Sequence, residues 1–213
     1  MVRARDPFAL ALHTLRERAS AGAFHPERPI VIRDEAQRLG LSPTPVREAL
    51  AWLGGEGLVR RAAPSGYAGA RLDLPGLRNR YRFRQNCLLL ALDPAVIGCG
   101  AWPNDSPLRE NGGAGEVFKQ ILERSGDDVL TTAYERVDQQ LAALAPSEVR
   151  LLHDLEVEAR ELAEHLSRGD IAGLARALKH YHERRISMGL PLLLDLGRRA
   201  ESASSRRPTE RSP

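Results

Sequence analysis

The sequence predicts a mainly α-helical protein: an N-terminal unit of three helices with a short β-hairpin, followed by an all-helical bundle. Apolar residues recur at helical spacing through most of the 213 residues, a hairpin signal occurs near residue 66, and no β-rich run follows Asp73. This length is enough for two domains with cores of their own. We expect these domains at 7–72 and 73–199, and a disordered tail at 200–213, where Ser, Arg and Pro provide no apolar anchor.

The first predicted helix covers Pro7 to Ala21 and is followed by Gly22. A turn rich in Pro and charge then leads into the apolar run 30–32, which predicts a short strand. The second helix covers Arg33 to Leu39 and ends at Gly40, because glycine readily adopts the left-handed conformation that closes a helix. The predicted arrangement is therefore a helix-turn-helix: a helix, a tight glycine turn and a further helix.

The third helix begins at Ser42, whose hydroxyl we expect to accept a hydrogen bond from a backbone N–H of the first turn. Pro43 and Pro45 fit this turn, since its N–H groups have no partner within the helix. Its core face is formed by apolar residues at i, i+4 and i+7. These are Val46, Leu50 and Leu53.

The opposite face of this helix carries Thr44, Arg47 and Glu48. Arginine suits bidentate contact with a guanine edge or a phosphate, and Thr44 at the helix start can reach a base or a backbone oxygen. The pattern favours a DNA-reading surface, and an ordinary surface helix is the alternative. Extended chain after Gly57 and a Pro- and Gly-containing tip at 63–67 predict a basic β-wing directly after the helix, which favours DNA reading.

A long motif runs through this region: Ser-x-Thr-Pro-Val-Arg-Glu-Ala-Leu, a further Leu, Glu-Gly-Leu-Val and a glycine in the wing. On this motif, residues 7–72 resemble the winged helix-turn-helix of the GntR family of bacterial transcription regulators. The matching residues are Ser42, Thr44, Pro45, Val46, Arg47, Glu48, Ala49, Leu50, Leu53, Glu56, Gly57, Leu58, Val59 and Gly66.

The resemblance implies contacts with double-stranded DNA. It places Arg47 at the family's recognition-helix arginine, Arg33 at the basic position that opens the second helix, and Gly66 at the wing tip near the minor groove. Together with the basic wing, it gives the expected DNA-binding residues. They are Arg33, Ser42, Pro43, Thr44, Arg47, Arg60, Ser65 and Gly66.

Two positions depart from the family. Pro43 stands where many members have a DNA-contacting arginine, which predicts altered or relaxed base choice. Glu35 stands where a core leucine is usual, which predicts weaker packing between the first helices. The charge fits the DNA hypothesis, because residues 1–72 hold eleven arginines and seven acidic residues, whereas the whole chain has a net charge of only +3.

The second domain is predicted to consist of long helices joined by short turns, apart from one irregular connection at 93–115, rich in Pro, Gly and Asn, with a short helical turn near Ala95. The predicted helices are 77–92, 116–123, 128–144, 147–167 and 171–194.

An all-helical domain after such a winged module resembles the FadR-type branch of the family, whose second domain dimerises and binds a small effector, often a carboxylate. The match is best over 118–182. Many members hold a divalent metal there, but the corresponding positions carry none of the usual ligands, so we expect no metal and no cofactor. These positions are Gly115, Lys119, Ala159 and Tyr181.

The histidines do not restore a metal site in the sequence: His180 and His182 lie two apart, which separates them on a helix, and His153 and His165 lie roughly three turns apart. We interpret the histidines as solvated residues of helix faces. For an anionic effector the sequence offers four residues, with Lys119 replacing the charge of the metal. They are Arg78, Arg82, Lys119 and Tyr181. Arg84, on the same helix as Arg78 and Arg82, could anchor a carboxylate with them, since the resemblance implies an arginine on this helix. A solvated cationic face formed by these three arginines is the alternative.

The predicted function is that of a cytoplasmic homodimer that represses transcription from a palindromic operator and is released by a small anionic metabolite. The alternative is a constitutive DNA-binding regulator whose helical domain only dimerises. An enzyme is not expected, because no nucleophile with a base, phosphate loop or carboxylate pair occurs. RNA binding is disfavoured by the few aromatic residues. Cys87 and Cys99 fit neither zinc nor redox spacing, and no apolar run is long enough to span a membrane, so no membrane association is expected.

Overall fold

The computed structural model describes residues 6–63, 66–93 and 113–205. The chain divides into two compact units. The N-terminal unit contains the residues up to Asp73, together with Ala142–Leu144 and the residues from Leu193 onward. The helical unit contains Leu74–Leu141 and Ala145–Leu192. The mainly helical fold predicted from the sequence is confirmed.

The N-terminal unit is built from three helices and a two-stranded antiparallel sheet. In this sheet Val59 pairs with Gly69, Arg60 with Ala68 and Arg61 with Tyr67. The elements are α1 (Pro7–Ser20), α2 (Ile32–Leu39), α3 (Pro43–Glu56), β1 (Val59–Arg61) and β2 (Tyr67–Gly69).

Glycines in the left-handed conformation end the second and third helices. Gly40 has φ 65° after α2 and Gly57 has φ 78° after α3, values that side chains with a Cβ rarely adopt. Between these ends, the apolar faces of α1 and α3 meet and exclude water. The most deeply buried residues of this core are Ala11, Leu15, Val46, Ala49, Leu50 and Leu53.

Two local predictions in this unit are wrong. Residues 30–32 do not form a strand, because Ile32 already begins α2 and only Pro29 forms an isolated bridge with Ala68. Ser42 is the N-cap of α3, but its side chain makes no capping hydrogen bond. A capping oxygen accepts from the second or third helical N–H, and Pro45 at the third position has none.

The helical unit begins with a long helix, α4, against which α5, α6 and α9 pack. Its core includes aromatic residues of α5, α6 and α9: Phe118, Tyr134 and Tyr181. The helices from here on are α4 (Leu74–Ala91), α5 (Ala114–Ser125), α6 (Asp128–Leu141), α7 (Ala145–Leu151), α8 (Leu155–Ser167), α9 (Ile171–Ser187) and α10 (Gly189–Ser205), with a 3₁₀ turn at Ala142–Leu144.

Both long helices predicted in the second half are interrupted. The helix expected at 147–167 breaks near Asp154, which has φ 64°. The helix expected at 171–194 breaks between α9 and α10. A Cβ at Gly189 would lie 2.8 Å from Leu74 Cδ1 and 3.0 Å from Leu77 Cδ2, so a larger residue here would require these side-chain ends on α4 to shift.

Other predicted boundaries also change. The helix expected at 128–144 ends as an α-helix at Leu141 and continues as a 3₁₀ turn. Gly115, assigned to the irregular connection, lies in α5, whereas the helical turn near Ala95 and Cys99 falls outside the described residues. The tail expected from residue 200 is helical to Ser205. Among the helices that the structure describes, none has the length and apolar character needed to cross a membrane.

Candidate functional site

The exposed face of α3 carries the polar residues that the sequence singled out. Ser42, Pro43, Thr44 and Arg47 are all exposed and occupy the first turns of the helix. The opposite face is anchored, since Val46, Leu50 and Leu53 have no solvent exposure. A rigid helix therefore presents a hydroxyl, a proline ring and a guanidinium to solvent.

Four arginines of the N-terminal unit are held by acidic neighbours. Arg16 pairs with Glu56 at 2.5 Å, and Arg71 pairs with Glu27. The guanidinium groups of three exposed arginines, by contrast, form no ion pair or hydrogen bond within the described range 6–73. They are Arg33 at the start of α2, Arg47 on α3 and Arg61 at the end of β1. These three cations are available to an external anion.

Glu35, expected to weaken the packing of the first helices, is 2% exposed and forms an ion pair with Arg18. Arg38 Nε lies 3.8 Å from the same carboxylate. The Arg18 guanidinium also stacks on Phe24, 5.0 Å from the ring centre. A buried ion pair between α1 and α2 thus replaces the apolar contact expected at this position.

The predicted wing residues have environments that differ from the expectation. Arg60, expected at the DNA interface, donates from Nη2 to the Pro26 carbonyl oxygen at 2.7 Å and is only partly exposed. Gly66 has φ 137°, which requires glycine at the wing turn. Ser65 lies outside the described residues.

In the helical unit, Arg84 lies buried among aromatic rings, which contradicts the alternative that it belongs to a solvated cationic face. Arg84 is 6% exposed, and its guanidinium carbon lies 5.1 Å from the centre of the Tyr81 ring and 5.7 Å from those of Phe118 and Tyr181. Its Nη1 donates to Asp138 Oδ1 at 2.8 Å. Its buried Nη2 has no hydrogen-bond partner among the described residues.

His182 completes this cluster and corrects the prediction of solvated histidines, because its side chain has no solvent exposure. Burial, and then the charge of Arg84, lower the pKa of His182 to about 3. The ring is therefore neutral at pH 7. Its Nδ1 lies 2.7 Å from the Leu178 carbonyl, which can only accept, so Nδ1 carries the proton and Nε2 accepts from Arg84 Nε at 3.3 Å.

A second buried arginine, Arg185, is 1% exposed and, unlike Arg84, forms ion pairs with two carboxylates. It contacts Glu148 at 2.8 Å and Glu158 at 2.9 Å, and stacks on the Tyr181 ring at 3.3 Å. Tyr81 donates its hydroxyl to Glu148 at 2.5 Å. This network ties α4, α7, α8 and α9 together and leaves no free charge on Arg185.

The four predicted effector residues do not converge. Arg78 and Arg82 line an open groove of about 500 Å³ between α4 and α9. Tyr181 is buried beside Arg185, whereas the Lys119 side chain is 65% exposed and pairs with Glu123 at 3.6 Å. Within the described residues, no three His, Cys, Asp or Glu side chains are grouped as metal ligands require.

Arg84 was within reach of sequence reasoning. Leu77, Tyr81 and Leu88 lie on the buried face of α4 at i, i+4 and i+11, and i+7 on the same face is Arg84. The helical period alone therefore predicts that this arginine is buried, which is rare for a cation and indicates a specific role or partner.

Comparison with known proteins shows similarity at the level of structure. No protein-family model matches the chain, and no curated protein matches it. The solved structure of E. coli McbR/YncC has a TM-score of 0.66 at 18% identity, covering 90% of this chain and 99% of that one. A putative transcriptional regulator GntR from Rhodococcus sp. RHA1 gives 0.67 at 14% identity, covering 86% and 97%.

Both similarities span the two units, so they are not limited to the winged module that carries the motif. Identities below one fifth establish shared architecture and leave the activity to be argued from the residues. The chain therefore has the fold of the GntR-type transcriptional regulators, as its helix-turn-helix motif predicted.

Proposed function

We propose that the protein is a site-specific DNA-binding transcriptional regulator of the GntR family that acts in the cytoplasm. One observation carries the proposal: α3 presents Thr44 and an unpaired Arg47 on a face whose opposite side is locked into the core. A rigid helix with a free guanidinium matches the geometry needed to read bases in the major groove. Arg33 supplies a second unpaired cation for the phosphate backbone.

The mode of action follows from symmetry. Two copies joined in a homodimer place two recognition helices on a pseudo-palindromic operator, with half-sites about one helical turn apart. A dimer on such a site excludes polymerase when the operator overlaps a promoter, so repression is the default outcome.

Selection of duplexes from a random pool tests this proposal. Wild-type protein should enrich a palindromic motif, and Arg47→Ala should lose about 1–3 kcal/mol at that motif while its binding to random duplex changes little. Arg160→Ala, an exposed arginine of the helical unit, is the charge-matched control and should retain the motif. Equal losses of Arg47→Ala on selected and random DNA would contradict the base-reading role.

We further propose that a small anionic metabolite regulates the protein through Arg84. A buried guanidinium with an unpaired Nη2 among aromatic rings is a strong donor for a carboxylate, because buried donors gain most from a charged acceptor. The groove lined by Arg78 and Arg82 offers an open approach to the same helix, α4. Constitutive DNA binding without a ligand is the alternative, favoured by the exposed position of Lys119.

Thermal shift with a panel of carboxylates and phosphates distinguishes these possibilities. An effector should raise the midpoint of wild type and of Lys119→Ala, and the shift should persist in the presence of a chelator. Arg84→Lys, which keeps the charge but not the planar donor pair, should reduce it, with Arg160→Lys, at an exposed position outside the groove, as the control. Absence of a shift with every anion, while DNA binding is retained, would support the constitutive alternative.

A further inference from the structure

A loop of the N-terminal unit lies along the edge of β2 that faces away from β1. We name residues 24–30 the bracing loop. Ile30 N donates to the Tyr67 carbonyl at 2.7 Å, and Gly69 N donates to the His25 carbonyl at 3.2 Å. The loop therefore continues the small sheet beyond β2, without forming a regular strand.

The bracing loop fits tightly against β2. A Cβ at Gly69 would lie 2.0 Å from the Phe24 carbonyl oxygen, so only glycine permits this approach. Residues of β2 are accordingly buried on both faces, although a two-stranded wing by itself would expose one of them. The position of the wing thus depends on this loop.

Arg60 links β1 to the same loop. It is paired with Ala68 of β2. Its Nη2 donates to the Pro26 carbonyl at 2.7 Å, and its Nε is buried. Arg71, just after β2, makes a second link through its ion pair with Glu27.

The next residue has the opposite environment. Arg61 lies one position nearer the wing turn, paired with Tyr67, and is exposed. Its guanidinium makes no ion pair or hydrogen bond with any residue of the described ranges. Adjacent arginines of one strand point to opposite faces, so one can hold the wing while the other faces solvent.

We propose that Arg60 positions the wing on the bracing loop and that Arg61 supplies the wing's contact with a DNA phosphate. This inference rests on the proposed DNA-binding function and assigns different roles to two neighbouring cations. It also replaces the expectation, drawn from the sequence, that Arg60 itself contacts DNA.

The test compares Arg60→Met and Arg61→Met, which remove the same charge from adjacent positions and keep a stem of similar length. Binding to the selected duplex is measured across salt concentrations. Arg61→Met should make the slope of log K against log salt less negative by about 0.9, the value for one phosphate contact. Arg60→Met should weaken binding without changing this slope. Reversed slopes would overturn the assignment.

A second measurement requires no DNA. Hydrogen exchange of the Ile30 and Gly69 amides in the free full-length chain should be faster in Arg60→Met by at least severalfold and unchanged in Arg61→Met. Unchanged exchange in Arg60→Met would refute the positioning role of Arg60. If wild type enriches no duplex at all, the proposed function fails and the Arg61 contact fails with it, while the exchange result still decides the role of Arg60.

Discussion

The imidazole of His182 is neutral because it is buried beside the guanidinium of Arg84, and this state makes stability depend on pH. Its folded pKa of about 3 lies below the ordinary value of 6.5, so between these values the unfolded chain binds a proton that the folded chain excludes. The free energy of unfolding should therefore fall with acidification through this window, by up to about 1.4 kcal/mol per pH unit from this group.

Denaturant unfolding between pH 7 and pH 4 measures this effect. His182→Gln should lack that part of the pH dependence, whatever its absolute stability. The partly exposed His165, paired with Asp170 at 2.9 Å, provides the control His165→Gln, which should retain the His182 contribution. An identical pH profile for wild type and His182→Gln would contradict a buried, neutral His182.

Gly173 illustrates steric rather than electrostatic control by a single residue. A Cβ at this position would lie 2.1 Å from Asp170 Oδ2 and 2.2 Å from His165 Nδ1. Gly173→Ala must displace the side chain that caps α9, since Asp170 Oδ1 accepts from the Gly173 N–H at 2.8 Å. We expect a loss of about 1–3 kcal/mol in unfolding experiments.

Gly55→Ala in α3 is the matched control for this substitution. No atom lies within 4 Å of the added Cβ, apart from the helix's own backbone and chain neighbours. Replacing glycine in a helix should leave stability unchanged or raise it by up to about 1 kcal/mol. Equal destabilisation of both variants would contradict a loss that arises from the contacts of the added Cβ with Asp170 and His165.

At the scale of single residues, the sequence predicted which side chains of α3 are exposed. It did not predict hydrogen bonds between residues that are distant along the chain. The exposed face with Thr44 and Arg47 follows from helical period alone. Arg60 was assigned to DNA because it is basic and lies in the wing, and the sequence gives no indication that Pro26 lies within reach. Partners 34 residues apart depend on tertiary packing.

At the scale of elements, α1 and α2 are held together by the buried pair of Arg18 and Glu35. Arg18→Ala would leave a carboxylate that is 2% exposed and whose one remaining ion-pair partner among the described residues is Arg38, at 3.8 Å. Removing one partner of a buried ion pair typically costs about 3–5 kcal/mol. We expect the lower end of that range, because the Arg18 side chain is itself 20% exposed.

Thermal unfolding of Arg18→Ala beside Arg38→Ala measures this contribution. Arg38 is 54% exposed, so its replacement should change stability by less than about 1 kcal/mol. The double variant with Arg18→Ala and Glu35→Leu should recover much of the loss, since no buried charge then remains unpaired. If the double variant is no more stable than Arg18→Ala alone, the loss belongs to the Arg18 contact with Phe24.

The ends of the helices show which structural features can be predicted from local sequence. Gly40 and Gly57 end helices as predicted, because a left-handed residue is a local requirement that glycine meets. The breaks at Asp154 and Gly189 were missed. Gly189 lies close to the side chains of Leu74 and Leu77, more than one hundred residues earlier, and no local pattern reports such a contact. The strand expected at 30–32 is also absent, because Ile32 is the first residue of α2.

For the whole molecule, the proposed homodimer makes a prediction about DNA geometry. Inserting about 5 bp between the half-sites of the selected operator turns one half-site to the opposite side of the duplex, whereas about 10 bp restores its side. Binding by the dimer should therefore fall with the short insertion and recover at least partly with the long one. Indifference to both insertions would indicate independent binding of single copies.

The overall architecture was the part most accessible to sequence reasoning. A motif of local residues identified the winged module, and similarity to solved structures extends to both units. The effector residues were the least accessible, since Lys119 and Tyr181 were taken from aligned positions. The structure separates them, with one side chain in solvent and the other in the core.

The two prolines at the start of α3 have a kinetic consequence for the proposed recognition of DNA. Their rings fix φ in the unbound chain, so the turn that carries Thr44 keeps one backbone shape before it meets a duplex. The backbone of this turn therefore needs little further ordering when it meets a duplex. Its conformational entropy is lost during folding rather than during association. If the protein binds an operator as proposed, association is expected to be limited by diffusion and electrostatic attraction rather than by rearrangement of this helix.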